Sequence, residues 1–172
     1  MTLHTGPQCV LDEKPNGSQP AYSGNVLSTN CEVTPSSNSG CGFSDPNPHS
    51  YGEGFNEIGG GVFARLWDQT GIKIWFFERP SVPKDILSGN PDPSSWPAPS
   101  AFWSASGCDV ASHFRDHNLV INTALCGDWA GGDYGSSGCP GSCSEAVADA
   151  SNFERAPFFF NALARDSCTG TE

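Results

Sequence analysis

The chain has 172 residues, long enough for one domain with a real hydrophobic core. Its 8 Lys and Arg against 19 Asp and Glu give a net charge of -11, which repels nucleic acid, and no basic stripe overcomes that repulsion. Nothing approaches the roughly eighteen consecutive apolar residues of a membrane span.

Gly 20 and Pro 14, with abundant Ser and Asn, describe a turn-rich chain and favour an all-β fold. The cysteines are Cys9, Cys31, Cys41, Cys108, Cys126, Cys139, Cys143 and Cys168. An even number at this density favours disulfides and an oxidising compartment, although sequence cannot fix their connectivity. The start, MTLHTGPQCV, has neither a basic n-region nor an apolar h-region, so it does not read as a signal peptide. Secreted composition without a secretion signal is a tension in the sequence. Asn16-Gly17-Ser18 is a glycosylation sequon in a polar loop, as easily a chance occurrence.

In chain order, MTLHT alternates as a strand, with Leu3 on one side and Thr2 and His4 on the other. Residues 6 to 50 are mostly turn formers, a long disulfide-tied region with short strands. VFARLW and IKIWFF form a hairpin about the turn Asp68-Gln69-Thr70-Gly71, with Trp67 and Trp75 expected in the core. The proline-rich stretch from Pro80 to Pro99 is loop, with one helical turn at Lys84 to Leu87. Trp96 and Trp103 either line a groove or cap a loop. Ser112 to His117 suits one helical turn capped by Ser112. Leu119 to Ala124 reads as a strand. Leu119, Ile121 and Thr123 share one face, and Val120, Asn122 and Ala124 the other. Both faces are largely apolar, which places the strand inside a sandwich or under a cleft. It ends in a loop carrying Asp128 and Trp129 between Gly127 and Gly131. Trp129 either plugs the end of a β-core or offers a sugar ring a flat apolar surface with a polar handle. SEAVADASNF suits a short helix and APFFFNALA a last strand. No linker divides the chain, which reads as a single domain over residues 1–172.

The segments MTLHTGPQC (1–9), GCGFSDPNPHSYGEGFNEIGGGVFA (40–64), GIKIWFFERPSVPKDI (71–86), INTALCGDWAG (121–131) and SSGCPGSCSEAV (136–147) resemble, in order, the fungal laminarinase-like endo-β-1,3(4)-glucanases of glycoside hydrolase family 16. The resemblance implies a two-sheet antiparallel jelly-roll (concanavalin-like) sandwich, incomplete here at its N-terminal side. It implies retaining hydrolysis of β-1,3(4)-glucan and an extracellular parent; no cofactor or metal is expected. It also implies that MTLHT lies mid-domain, just after the catalytic strand, so that the missing N-terminal half would be the chain's partner alongside the glucan. By the same resemblance His4 faces the cleft near the acid/base. Trp129 forms a sugar-stacking wall, and Asn122 and Asp128 lie close enough to bind sugar hydroxyls; the bland alternatives are a structural His4 and a turn-capping Asp128. The last strand departs from the family at Pro157 and Arg165, both poor strand formers.

Retaining glycosidases need two carboxyl groups about 5 Å apart. The family carries them as Glu-x-Asp-x-x-Glu on one strand, sometimes with one extra residue, and that pattern does not occur in this sequence. Glu53 and Glu57 lie in a Gly-rich turn and read as solvated charges. No catalytic residue is therefore expected within the chain. His113 and His117 have the i, i+4 spacing of a shared metal, but Phe114 stands where a zinc protease needs Glu. Cys139 and Cys143 have three residues between them, against the two usual for redox and zinc pairs, and read as structural disulfides. Cys108 and Cys126 are plausible partners. Three functions compete: a truncated or mis-started member of the hydrolase family, inactive on its own, a non-catalytic carbohydrate-binding module, and a disulfide-stapled structural cell-wall protein.

Overall fold

The computed structural model describes residues 1–14, 17, 21–121 and 125–154. They belong to two compact units, Met1–Ser50 with Gly61–His117, and Tyr51–Gly60 with Asn118–Glu172. The first holds two three-stranded antiparallel sheets. In one, β1 (Thr2–Leu3), β2 (Asn25–Ser28) and β3 (Cys41–Ser44) run in the order β1-β3-β2. In the other, β4 (Gly61–Asp68), β5 (Gly71–Glu78) and β6 (Ala101–Ser104) run in sequence order. The helices among the described residues are short: α1 Gly52–Glu57, α2 Lys84–Leu87, α3 Val110–His113, α4 Gly127–Asp133, α5 Cys143–Ala148 and α6 Ser151–Glu154. None of them is long and apolar enough to cross a membrane.

The β4–β5 hairpin follows from its alternation. Val62, Ala64 and Leu66 share a face with Trp75 and Phe77, while Phe63, Arg65 and Trp67 pair with Phe76, Ile74 and Ile72. Asp68 closes the turn by accepting from the Thr70 N–H at 2.7 Å and the Thr70 hydroxyl at 2.6 Å. These bonds, the hydroxyl one foremost, hold the Asp68 carboxyl below the usual Asp range. Gly71 has φ +141 and lies so close to the Trp103 carbonyl oxygen that a Cβ would overlap it. That close approach lets β6 pair with β5, Ile72 opposite Trp103.

The two sheets meet at a core of Cys9, Leu11, Cys31, Cys41, Phe43, Ile72, Ala101, Trp103, Cys108, Val110 and Phe114. At its centre Phe43 and Trp103 pack edge to face, 5.1 Å apart, and Tyr22 meets Phe43 at 4.7 Å. The Trp103 indole donates to the Cys41 carbonyl at 3.3 Å, so its N–H is satisfied across the sheets. Disulfides Cys9–Cys108 and Cys31–Cys41 lie in the same core.

A second cluster lies on the opposite face of β4 and β5. Trp75, Phe77 and Val82 pack with Val62, Ala64, Leu66, Ile86 and Trp96. Two indoles pin the proline-rich stretch here. Trp75 donates to the Pro97 carbonyl at 2.8 Å, and Trp96 to the Asp85 carboxylate at 2.8 Å. Trp96 therefore caps a loop, whereas Trp103 is a strand residue, 1% exposed. Trp75 is buried as expected, but Trp67 keeps 36% of its surface because β4 is the outer strand of its sheet.

Several expectations are corrected. Leu119, Val120 and Ile121 form no strand and are exposed, at 90%, 69% and 61%. Their apolar run resembles a buried strand, but a run of this length does not identify what it packs against. Gly127 to Asp133 is helix α4 instead of loop. The helical turn at 110–113 starts earlier than Ser112, after Asp109, and SEAVADASNF is two helices broken at Asp149. Glu53 and Glu57 sit on α1, not in a turn. Ser142 caps α5 with a full capping box to Glu145. Cys108 and Cys126 do not pair with each other. Cys126 bonds to Cys143, tying α4 to α5, and Cys139 is also disulfide-bonded. The expected strand APFFFNALA, with Cys168, lies outside the described residues.

Candidate functional site

His4 follows β1, the outer strand of its sheet, and its side chain is exposed. Alternation puts Thr2 and His4 outward while Leu3 packs on the core. The chain beyond His4 is fixed on both sides. Thr5 N–H donates to the Cys31 carbonyl at 2.8 Å, and Val33 N–H to the Thr5 carbonyl at 2.9 Å. Gly40 makes room for this approach: at φ +64, a Cβ there would lie 2.9 Å from the Thr2 methyl and 3.0 Å from His4 Nδ1. The backbone beyond His4 is thus fixed, and the His4 side chain is exposed.

Asp128 lies in the first turn of α4 and is exposed. An acidic side chain there is favoured by the unpaired N–H groups of the helix start, which is the structural alternative for Asp128. Trp129 follows on the same helix; its side chain and the whole of Asn122 lie outside the described residues. Asp128 and Trp129 are therefore neighbours on one short, disulfide-tied helix of the second unit, and His4 belongs to the first.

One constellation has no signal in the sequence. Glu78, at the end of β5, accepts from Asn47 Nδ2 at 2.9 Å and lies 2.8 Å from His49 Nδ1. These bonds, His49 foremost, hold its carboxyl below the usual Glu range. Asn47 and His49 come from the turn Asp45-Pro46-Asn47-Pro48-His49, about thirty residues upstream. The arrangement is a half-buried carboxylate bonded to its own fold. No group of three or more His, Cys, Asp or Glu among the described residues is placed to hold a metal ion. His113 uses its ring on backbone carbonyls at 2.8 and 2.9 Å, and His117 packs against Trp67 and Phe114.

Two facing antiparallel sheets with a disulfide-tied core and an exposed His on an outer strand define a β-sandwich of the jelly-roll class. Residues 1–164 match the family described as XgeA-like, catalytic GH16 domain, and the chain belongs to glycoside hydrolase family 16. It is 42% identical over 168 residues to the Schizosaccharomyces pombe protein named "Probable glycosidase C21B10.07", covering 95% of this chain and 39% of that one. It is 40% identical over 134 residues to an endo-1,3(4)-beta-glucanase of Arthroderma benhamiae, covering 76% and 28%. Among solved structures it is similar to Laminarinase 16A of Phanerochaete chrysosporium, described with 6-O-glucosyl-laminaritriose in both donor and acceptor sites. The TM-score is 0.78 at 38% identity, over 95% of this chain and 52% of that one. The chain thus spans about half the length of this structural relative and less of the curated ones.

Proposed function

We propose that residues 1–172 are one family 16 domain portion that contributes sugar contacts for β-1,3(4)-glucan, His4 from the first unit and Asn122, Asp128 and Trp129 from the second. The observation that carries this is the similarity, over 95% of the chain, to a laminarinase described with glucans in its donor and acceptor sites. The chemistry of the residues agrees. An indole stacks on a pyranose face, while imidazole, amide and carboxylate groups bond hydroxyls. Three disulfides between described cysteines support an oxidising, extracellular setting.

Hydrolysis with retention requires a nucleophile and an acid/base carboxyl about 5 Å apart. The Glu-x-Asp-x-x-Glu order that supplies them in the family is not found among the 172 residues. Binding without cleavage is accordingly the activity expected of these residues by themselves, which is also how a carbohydrate-binding module behaves. Affinity electrophoresis in laminarin gels, paired with a reducing-sugar assay, tests both parts. Retardation that weakens in Trp129→Ala, with no sugar released, is expected. Migration unaffected by laminarin would refute the sugar contacts, and sugar release would refute the assignment of chemistry.

A further inference from the structure

His113, at the end of α3, stands between two main-chain carbonyls. Its Nδ1 lies 2.8 Å from the Asp109 oxygen and its Nε2 lies 2.9 Å from the Pro7 oxygen, 106 residues away in sequence. A carbonyl oxygen only accepts, so each contact is a hydrogen bond only while the facing nitrogen carries a proton. Neutral imidazole has one N–H and imidazolium has two. Ser112 does not relieve this. Its hydroxyl, 3.0 Å from Nδ1, has one proton and is itself 3.0 Å from the Asp109 carbonyl, where it donates.

We propose that His113 is a protonation-dependent latch that, as the imidazolium, ties the Pro7 segment to α3 and lets go of one carbonyl on losing its proton. The segment it holds is special in two ways. Gln8, next to the latched carbonyl, has φ 72, a left-handed conformation that a non-glycine residue keeps only when its surroundings impose it. Three residues upstream of Pro7 is His4. The Cys9–Cys108 disulfide fixes the far end of the segment, and Thr5 is fixed by its pairing with Cys31 and Val33. Between those anchors, Gly6 to Gln8 is the stretch that the latch restrains.

The charges around the ring favour the latched form. On α3 the charged group acting on it is Asp109, whose carboxylate favours the imidazolium. The Pro7 segment adds none, since residues 5 to 10 are Thr, Gly, Pro, Gln, Cys and Val with the Cys disulfide-bonded. The Pro7 carbonyl, then the Asp109 carbonyl, raise the His113 pKa above the ordinary value, against a small desolvation effect. The latch is thus closed in acid and opens as pH rises through that raised value.

The test is an NMR titration of the 172-residue chain, reading the two His113 ring nitrogens and hydrogen exchange of the Gln8 amide. Expected are two protonated ring nitrogens in acid, a midpoint above the peptide value of about 6.5, and a Gln8 protection factor, corrected for the roughly tenfold rise of base-catalysed exchange per pH unit, that falls several-fold across the same midpoint. His113→Gln, which has a single donor-bearing nitrogen, should abolish that pH step. Ser112→Ala, which leaves both carbonyl contacts in place, should keep the raised midpoint and serves if His113→Gln does not fold. A midpoint at or below the peptide value, or exchange indifferent to it, would overturn the proposal.

Discussion

Removing the Cys9–Cys108 disulfide should cost more than removing Cys31–Cys41, although the two pairs are equally buried. All four cysteines are 2% exposed or less, so replacing either pair by alanine removes comparable buried surface. The difference lies in the unfolded chain. The first bridge closes a separation of 99 residues and the second one of 10. With a loop entropy of about −2.1 − 1.5R ln n, the bridges are worth about 4.7 and about 2.7 kcal/mol at ~25 °C. The shorter bridge lies inside the longer loop, and trimming that loop by its span changes the larger figure by only about 0.1 kcal/mol on the same relation. Urea melts of Cys9→Ala/Cys108→Ala and Cys31→Ala/Cys41→Ala, under non-reducing conditions, measure both. The first variant should lose about 2 kcal/mol more than the second, and its m-value should rise as its denatured state expands. Equal losses, or a larger loss for the short loop, would show that local packing and not chain constraint sets the contribution of these bridges.

Other consequences are as direct. Trp103→Ala empties the centre where Phe43 packs edge to face, and should destabilise by about 3–5 kcal/mol in a denaturant melt. Gly71→Ala forces a left-handed residue against the Trp103 carbonyl; the strain alone is about 1–3 kcal/mol, and the melting temperature should fall accordingly. Asp12, Asp68, Glu78 and Asp85 all have folded-state pKa values lowered by hydrogen bonds. Their support is complete above the unfolded values of 3.8 for Asp and 4.5 for Glu, and is shed as pH falls through the lower folded values. His113 acts in the opposite sense: its raised value gives support present below about 6.5 that is lost as pH climbs through the folded value. Melts should thus show stability falling in acid below about pH 4, and a shallow decline above about pH 6.5 that His113→Gln removes.

The β4–β5 hairpin was legible because both strands are long, one face packs on its own cluster, and Asp68 and Thr70 mark the turn. Strand β6 was not legible, for Ala101, Phe102, Trp103 and Ser104 are all buried and four buried residues after Pro and Ser show no alternation. The same ambiguity produced the opposite error at Leu119 to Ile121, where an apolar run is exposed. Helix α4 was hidden by three glycines, poor helix formers, and it is held by Cys126–Cys143, a pairing that spacing alone does not reveal. Of the site, Thr2 and His4 faced outward as the alternation required. The Asn47–His49–Glu78 constellation joins residues about thirty positions apart, and only the fold brings them together.

The proposed function requires sugar recognition at the edge that holds His4 and on the helix that carries Trp129. Titrating the isotope-labelled chain with laminaritriose, and following the His4 ring and the Trp129 indole N–H, addresses it most directly. Each resonance should move and saturate, with the trisaccharide recovered intact. Resonances that stay fixed up to millimolar sugar, or that respond equally to an unrelated α-glucan, would contradict it.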